Sequence, residues 1–513
     1  MSRNVHLFYL IIFGLAILNP LYWIFNYKNK GQMDFSILLA ILGLGVAVIS
    51  LLKPQTKLSI SFKMNWLDKS VIAFSLLFVH YIAFAPILKE FNLLLPLGHW
   101  RWGFDEKSAT YLIFLLLTAF IVIRLKIAKV NLKNITKFSD LVERLLFEKK
   151  YDEVVHLLDN HLTSLFKLVK DNNDDARAIV NQTLTSDELA SYIAISKPKF
   201  GIKLLRQNFS IKEQFLTLFI SALMENKGSQ FYYEMANIQT IRMGNRFDIP
   251  QHYPLAHYLF SDVTVSEKLR VYKPVGDKIK LLLTEDNQIV QRSNSSFGSF
   301  DETERQNNII ECGFHFFEIM IFEAMHQKLT WHMWLYYFPS FSKCILEKLD
   351  PTPDVDLERE WPTPYHYYLH RLISINFDWI EGFQNVEGCE AISFNHISLR
   401  HDNGSILKSA ILSVGQIIWK IIETDKVDDN FKKYCLDTAL RNIRDIKEVN
   451  VLKPSYQVLI RSLLFNGFMD KKDPSVLNKY KALVDQIDHL LVHENEDFTN
   501  LLDTTLKELR EQS

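Results

Sequence analysis

Residues that staple or punctuate small secreted folds are scarce in this chain. It holds only 4 cysteines in 513 residues, Cys312, Cys344, Cys389 and Cys435. They lie far apart, with no C-x-x-C and no Cys/His finger spacing, so they read as reduced thiols of a cytosolic domain rather than a disulfide framework. Charge of one sign is lacking as well. With 58 basic and 59 acidic residues the formal net charge is -1, which leaves no global field to attract nucleic acid or acidic substrates. The specific catalytic signatures are missing too. There is no G-x-x-x-x-G-K-[ST] phosphate loop, no G-x-G-x-x-G after a strand, no H-E-x-x-H on a helix and no G-x-S-x-G elbow. These absences argue against an NTPase, a dinucleotide oxidoreductase, a zincin protease and an α/β-hydrolase. Neither a low-complexity tail nor a basic nucleic-acid patch stands out.

Long hydrophobic runs are present, and they crowd into the first 125 residues. Residues 5–25 ("VHLFYLIIFGLAILNPLYWIF") match the roughly 20 apolar residues that cross a hydrocarbon core. The run exceeds the h-region of a signal peptide, and no small-x-small cleavage site follows it. Further candidates follow at 35–52, whose Gly43 and Gly45 suit close helix packing in lipid, at 70–88 and at 108–124. The expectation is a four-helix transmembrane region over 1–128. Arg3, Lys53, Lys57, Lys63, Lys69, Arg124, Lys126, Lys129, Lys133 and Lys137 would fall on one side. The other side would hold Lys28, Lys30, Lys89, Arg101 and Lys107, partly offset by Glu90, Asp105 and Glu106. The basic bias puts both termini in the cytosol of a multi-pass protein of the plasma (inner) membrane. The loop 89–108, with Trp100 and Trp102 beside Arg101, reads as an interfacial or re-entrant segment. His80 is the one ionisable residue deep in a span. Its expected role is packing, since a neutral ring is far cheaper to bury than a charge, with an ion or proton role as the alternative.

From residue 139 onward the pattern is that of a mainly α protein: a large cytosolic helical domain with lobes at 139–290 and 302–513. In "SDLVERLLFEKKYDEVVHLLDNHLTSLFKLV" (139–169) apolar residues recur at three-to-four spacing, with Ser139 or Asp140 as cap. Its centre, "FEKKYDEVVHLLD", resembles the helix-turn-helix of a tetratricopeptide unit. No second copy follows at about 34 residues, so the resemblance implies a helical hairpin and not a solenoid. Helices are expected near 186–195, 211–225, 265–284, 305–330, 332–348, 364–383, 405–424, 428–446, 454–467 and 475–510. A strand hairpin is expected only near 279–290. Serine-rich 291–304 and the proline-broken 349–364 mark boundaries.

The closest approach to chemistry is "ECGFHFFEIMIFEAMH" (311–326). At about 100° per residue, Glu311, His315, Glu318 and His326 share a helix face, with Glu323 about 60° to one side. Glu323 and His326 have the Glu-x-x-His spacing of di-iron bundles, but no second copy occurs. His366 and His370, one turn apart in "HYYLH", are the other potential ligands. With Glu318 and His326 they would suit zinc or iron if the two helices faced each other. His332 and the Asp378/Glu381 pair add further candidates. The bland reading is that a helix this apolar is buried and its polar groups are paired inside a core. A regulated polar switch is a third reading. Aromatic-rich 229–260, with Tyr232, Tyr233, Arg242 and Arg246, reads either as a partner surface or as a buried connection stapled by its rings.

The leading functional expectation is a membrane-anchored sensor, scaffold or membrane effector of cell defence or stress response, without a cofactor. Its partners would be the lipid bilayer and either a protein or further copies of itself. The rival is a membrane-tethered enzyme with zinc or iron on the 311–326 and 365–371 helices.

Overall fold

Apolar residues at helical spacing fold as helices nearly throughout the computed structural model. It describes residues 64, 66–83, 88, 91, 106–127, 130–241, 246–297, 308–329, 336–351, 361–386, 405–467 and 471–512. The chain divides into two compact units, Met1–Thr183 and Leu184–Ser513.

The first unit contains α1 (Trp66–Ala83), α2 (Glu106–Ile127), α3 (Ile135–Phe147), α4 (Tyr151–Lys170) and α5 (Asp174–Leu184), the last ending at its boundary. Helices α1 and α2 pair around Val79, Ile82 and Ile113. Asp68 in the first turn of α1 meets Arg124 near the end of α2 at 2.9 Å, so the two run antiparallel. Next, α3 and α4 pack as the expected hairpin, with Phe138 edge-on to His161 at 5.8 Å. Lys149 turns the corner at φ 55, and the amides of Lys149 and Lys150 return to the carbonyls of Leu146 and Leu145. Those bonds close the otherwise open end of α3. Ser139 and Asp140 are not caps: α3 starts four residues earlier, at Ile135, so both lie within it.

The membrane expectation meets a correction here. The candidate spans 5–25 and 35–52, and the loop 89–108 apart from Phe91 and the opening turn of α2, lie outside the described residues. The spans at 70–88 and 108–124 fall on α1 and α2, and among the described residues no helix is long and apolar enough to cross a membrane. In sequence, charged residues stand at the ends: Asp68 and Lys69 in α1, and Glu106, Lys107, Arg124 and Lys126 in α2. What remains between them is about 21 Å and 24 Å of helix at 1.5 Å per residue, against about 30 Å of hydrocarbon. His80 hydrogen-bonds within its own helix, its Nδ1 2.8 Å from the Leu76 carbonyl oxygen.

The second unit opens with α6 (Asp187–Ser196), α7 (Pro198–Leu205), α8 (Lys212–Glu225) and α9 (Gln230–Asn237). The antiparallel strands β1 (Gln239–Ile241) and β2 (Arg246–Asp248) follow, with Thr240 opposite Phe247. Then come α10 (Pro254–Phe260), α11 (Val263–Lys268), α12 (Tyr272–Thr284), α13 (Asn287–Ser293), α14 (Ile309–His326), α15 (Tyr337–Lys348) and α16 (Pro364–Gly382). The unit closes with α17 (Ile406–Glu423), α18 (Asp429–Glu448), α19 (Lys453–Leu464), α20 (Pro474–Val484), α21 (His489–Glu494) and α22 (Glu496–Gln512).

Helix α17 is apolar on nearly every side, and α15, α16, α18, α19 and α20 accordingly surround it. Its start is fixed by Ser405, whose hydroxyl accepts the Lys408 amide. Gly415 lets α19 approach closely, because a Cβ there would stand 2.5 Å from the Ser462 carbonyl oxygen and strike its hydroxyl. Toward the amino end of the unit α6 packs on α8, α8 on α12, and α12 on α14 and α15, so helices from both sides of the 291–304 stretch share one core. The strand hairpin expected near 279–290 is instead helix α12, a stop, and helix α13. Asp286 accepts the amides of Gln288 and Ile289 and restarts the helix, so "TEDN" is a helix stop and cap rather than a hairpin turn. The one strand pair among the described residues lies at β1 and β2.

Candidate functional site

Helix α14 is the apolar helix of the "ECGFHFFEIMIFEAMH" stretch, and its start is capped by Asn308, which accepts the Ile310 amide at 2.8 Å. Phe314, Phe316, Phe317, Ile319, Met320 and Ile321 are fully buried, so the helix runs through the core. A carboxylate in that setting needs a partner, since an unpaired charge removed from water is very costly. Glu318, 7% exposed, has two: Arg371 of α16 donates through Nη2 at 2.6 Å, and Nδ1 of His315 stands 3.0 Å away. Burial by itself would raise the Glu318 carboxyl, but the Arg371 guanidinium and His315 outweigh it and hold it below its ordinary value. Burial likewise works against the Arg371 charge and is overcome by Glu318 and Glu311, so the guanidinium stays charged.

His315 spans two acceptors. Its Nε2 is 3.0 Å from the Ile238 carbonyl oxygen while Nδ1 faces Glu318, and Phe247 of β2 lies edge-on against the ring at 5.3 Å. A neutral imidazole donates through one nitrogen only, so both bonds form together when the ring carries two protons. The cluster therefore ties α14, α16 and the start of the β-ribbon into one unit. Asp378, two turns beyond Arg371 on α16, adds a second acid. Burial first, and then the Glu318 carboxylate, push its carboxyl up to about 6, with Arg371 opposing.

His366 and His370 make their hydrogen bonds elsewhere. His366 is buried, with Nδ1 2.8 Å from the Thr363 hydroxyl and its ring edge-on to Phe431 at 4.7 Å. His370 lies 3.4 Å from the Ser374 hydroxyl, with Trp361 and Tyr434 each at 5.3 Å. Burial lowers both imidazoles to about 4, aided for His370 by Arg371, so both are neutral. Glu311 is half-buried, Glu323 is 7% exposed and His326 is exposed. Among the described residues no group of three or more His, Cys, Asp or Glu is placed to hold a metal ion. The shared helix face is real, but Arg371 occupies the position a cation would take beside Glu318. His332 and Arg242 lie outside the described residues.

In the 229–260 segment the rings mostly turn inward. Tyr232 is buried and its hydroxyl donates to the Met224 carbonyl at 3.3 Å. Phe231 and Phe260 pack on Phe316, and Phe247 on Phe322. Tyr233 remains outside at 56% exposure and meets Tyr253 edge-on. Arg246 belongs to β2.

Two polar groups, the half-buried Arg371 and the buried Glu234, are invisible to spacing arguments. Arg371 sits in an apolar helix, and an arginine there demands a carboxylate from a neighbour, which is the one signal that could have nominated it. Glu234 is fully buried and accepts the amides of Leu255 (3.2 Å) and Ala256 (2.6 Å), thereby capping α10 from another helix. Cys312, Cys344 and Cys435 are buried thiols outside any disulfide, and burial raises all three away from reactive thiolate. No protein-family model, curated protein or solved structure matches the chain.

Proposed function

We propose that this chain is a membrane-anchored sensor or scaffold, in which an amino-terminal membrane region carries a cytosolic helical domain that binds a partner. The observation that carries the membrane part is the surface of the α1/α2 pair. Trp66 (76%), Phe74 (58%), Leu77 (65%), Tyr111 (65%), Leu115 (47%) and Ile123 (44%) all stand exposed. That much apolar surface on one helical pair calls for a cover, and lipid supplies one of the right chemistry. In this reading the runs at 5–25 and 35–52 make full crossings. The shorter α1/α2 pair sits in lipid with local thinning, at a fraction of a kcal/mol per Å of mismatch.

For the helical domain, a binding role is favoured over catalysis by how its polar groups are spent. Glu318, His315 and Arg371 satisfy one another across two helices and a ribbon, which is how a core fixes one arrangement. A sensor needs two arrangements that a ligand binds unequally, and this cluster is the element whose breakage would define the second. Cell defence and stress response are the settings such an effector suits.

The test is a topology map of the full chain. Reporters fused after residues 30, 60, 100 and 513 should report the two membrane sides alternately, with the last in the cytosol, and alkaline carbonate should leave the chain in the membrane. Extraction by carbonate, or a carboxyl terminus on the outer side, would sink the reading.

A further inference from the structure

Ile238 forms the corner between α9 and β1. It is buried, its amide still bonds back to the Glu234 carbonyl at 3.1 Å, and its own carbonyl is the first beyond the helix. A carbonyl at a helix exit finds no partner within the helix, and here the partner is Nε2 of His315 at 3.0 Å. Through Nδ1 the same ring reaches the Glu318 carboxylate at 3.0 Å. Both of these oxygens only accept. In a neutral ring one nitrogen carries a lone pair, so either tautomer sets that lone pair against an acceptor oxygen, whereas the imidazolium donates to both. A bond to a carboxylate is the stronger kind, so a neutral ring keeps its proton on Nδ1 and the Ile238 carbonyl is the partner it drops. The side chain of His315 is 24% exposed, which lets a proton reach or leave the ring without the core unfolding. Phe247 of β2 rests on the ring at 5.3 Å and on Phe322 at 5.8 Å, so the ribbon is seated directly over the group that titrates.

We infer that His315 is a proton-operated latch on the β-ribbon: the doubly protonated ring clasps the α9–β1 corner to α14, and loss of one proton releases that corner. Only the role of the released corner as the second arrangement rests on the sensor reading above; the latch itself stands on the two distances. Glu318 shares its oxygen with Arg371, which donates to it at 2.6 Å, so the carboxylate keeps a charged partner in either state of the ring. Glu311 acts on Arg371 from the same face of α14. On α9, Glu234 accepts the α10 amides and Tyr232 donates to the Met224 carbonyl, and on β2 Asp248 is exposed. Asp378 of α16, pushed up to about 6 by burial and then by Glu318, gains its charge in the range where imidazoles as a class titrate, so the test separates it from His315.

The test follows hydrogen exchange over residues 238–248 of the full chain in detergent, from about pH 5 to about pH 8, where imidazoles exchange their proton. Rates are expressed as protection relative to the free peptide, which removes the intrinsic pH dependence of exchange. One proton linked to release makes protection fall by up to about tenfold per pH unit as pH rises. His315→Gln should abolish that slope. Glu318→Gln should abolish it in a different way: its amide donates to Nδ1, so a neutral ring keeps its Nε2 proton for Ile238 and protection stays high at the alkaline end. Asp378→Asn should leave the slope in place. Protection that does not change with pH in the parent overturns the latch, as does a slope that survives His315→Gln or one that disappears in Asp378→Asn. Should His315→Gln not fold, Glu318→Gln decides alone, since a ring that merely packs would not hold the corner better at high pH beside an amide than beside a carboxylate. None of these outcomes depends on topology: a failed topology map leaves the latch standing, and a failed latch leaves the membrane anchor standing.

Discussion

Replacing the half-buried Asp378 by asparagine should stabilise the protein at neutral pH, an unusual direction for a substitution packed against a core. The folded carboxyl lies at about 6 against an ordinary value of 3.8, because burial and the Glu318 carboxylate disfavour its charge more than Arg371 supports it. A group whose folded value is raised contributes stability that is full below about 3.8. That contribution is lost as pH rises through about 6. At pH 7.5 the fold therefore bears a charge it disfavours. A shift of roughly two units corresponds to at most about 3 kcal/mol at 1.36 kcal/mol per unit, and partial solvent screening brings this to about 1–2 kcal/mol. An asparagine side chain has the same shape without the charge. Urea unfolding followed by helical circular dichroism across pH 4–8 is the assay. The variant should exceed the parent at pH 7.5 by that amount, and the two should converge as pH falls toward 4. If Asp378→Asn is less stable than the parent at pH 7.5, the ionised carboxylate is holding Arg371, and the balance of burial over attraction argued here is wrong.

The Glu318–Arg371 pair should behave in the opposite way. Glu318→Gln removes the hydrogen-bonded counter-charge of the half-buried Arg371 guanidinium and leaves Glu311 as the next acid acting on it; it should cost about 2 kcal/mol, while Glu318→Leu with Arg371→Met should recover most of that loss, and equal losses in the single and double variants would refute the pairing. Gly415→Ala forces α17 and α19 apart at Ser462 and should cost about 2–3 kcal/mol, whereas Gly228→Ala, whose Cβ would meet only the Asn226 side chain at 3.5 Å, should stay within about 0.5 kcal/mol. Thermal melts of the two variants compare them directly. Glu234→Ala strips two buried amides of their acceptor and should cost about 2–4 kcal/mol, with faster hydrogen exchange confined first to 254–260; uniform exchange over the whole unit would mean that Glu234 is not a local cap.

What the sequence made legible follows from the range over which each signal acts. Helix positions rest on local periodicity and caps, so the expected 211–225, 364–383 and 405–424 return as Lys212–Glu225, Pro364–Gly382 and Ile406–Glu423. Where a local signal was ambiguous the reading slipped. The leucine run of 279–283 suits strand or helix, and only the Asp286 cap decides between them. The expected helix at 475–510 is three, because Asp488 caps a new start and Asn495 separates α21 from α22. For the site, periodicity correctly put His315 and Glu318 on one face, since that is a property of a single helix. It could not supply Arg371, 53 positions away, nor Ile238, 77 positions away, because which helix a face meets is a property of the whole core. The rule that a buried carboxylate requires a partner predicted that something would stand there. Only the packing of α14 on α16 decides that it is a guanidinium, and that one identity turns a set of ligand-like side chains into an ionic clasp.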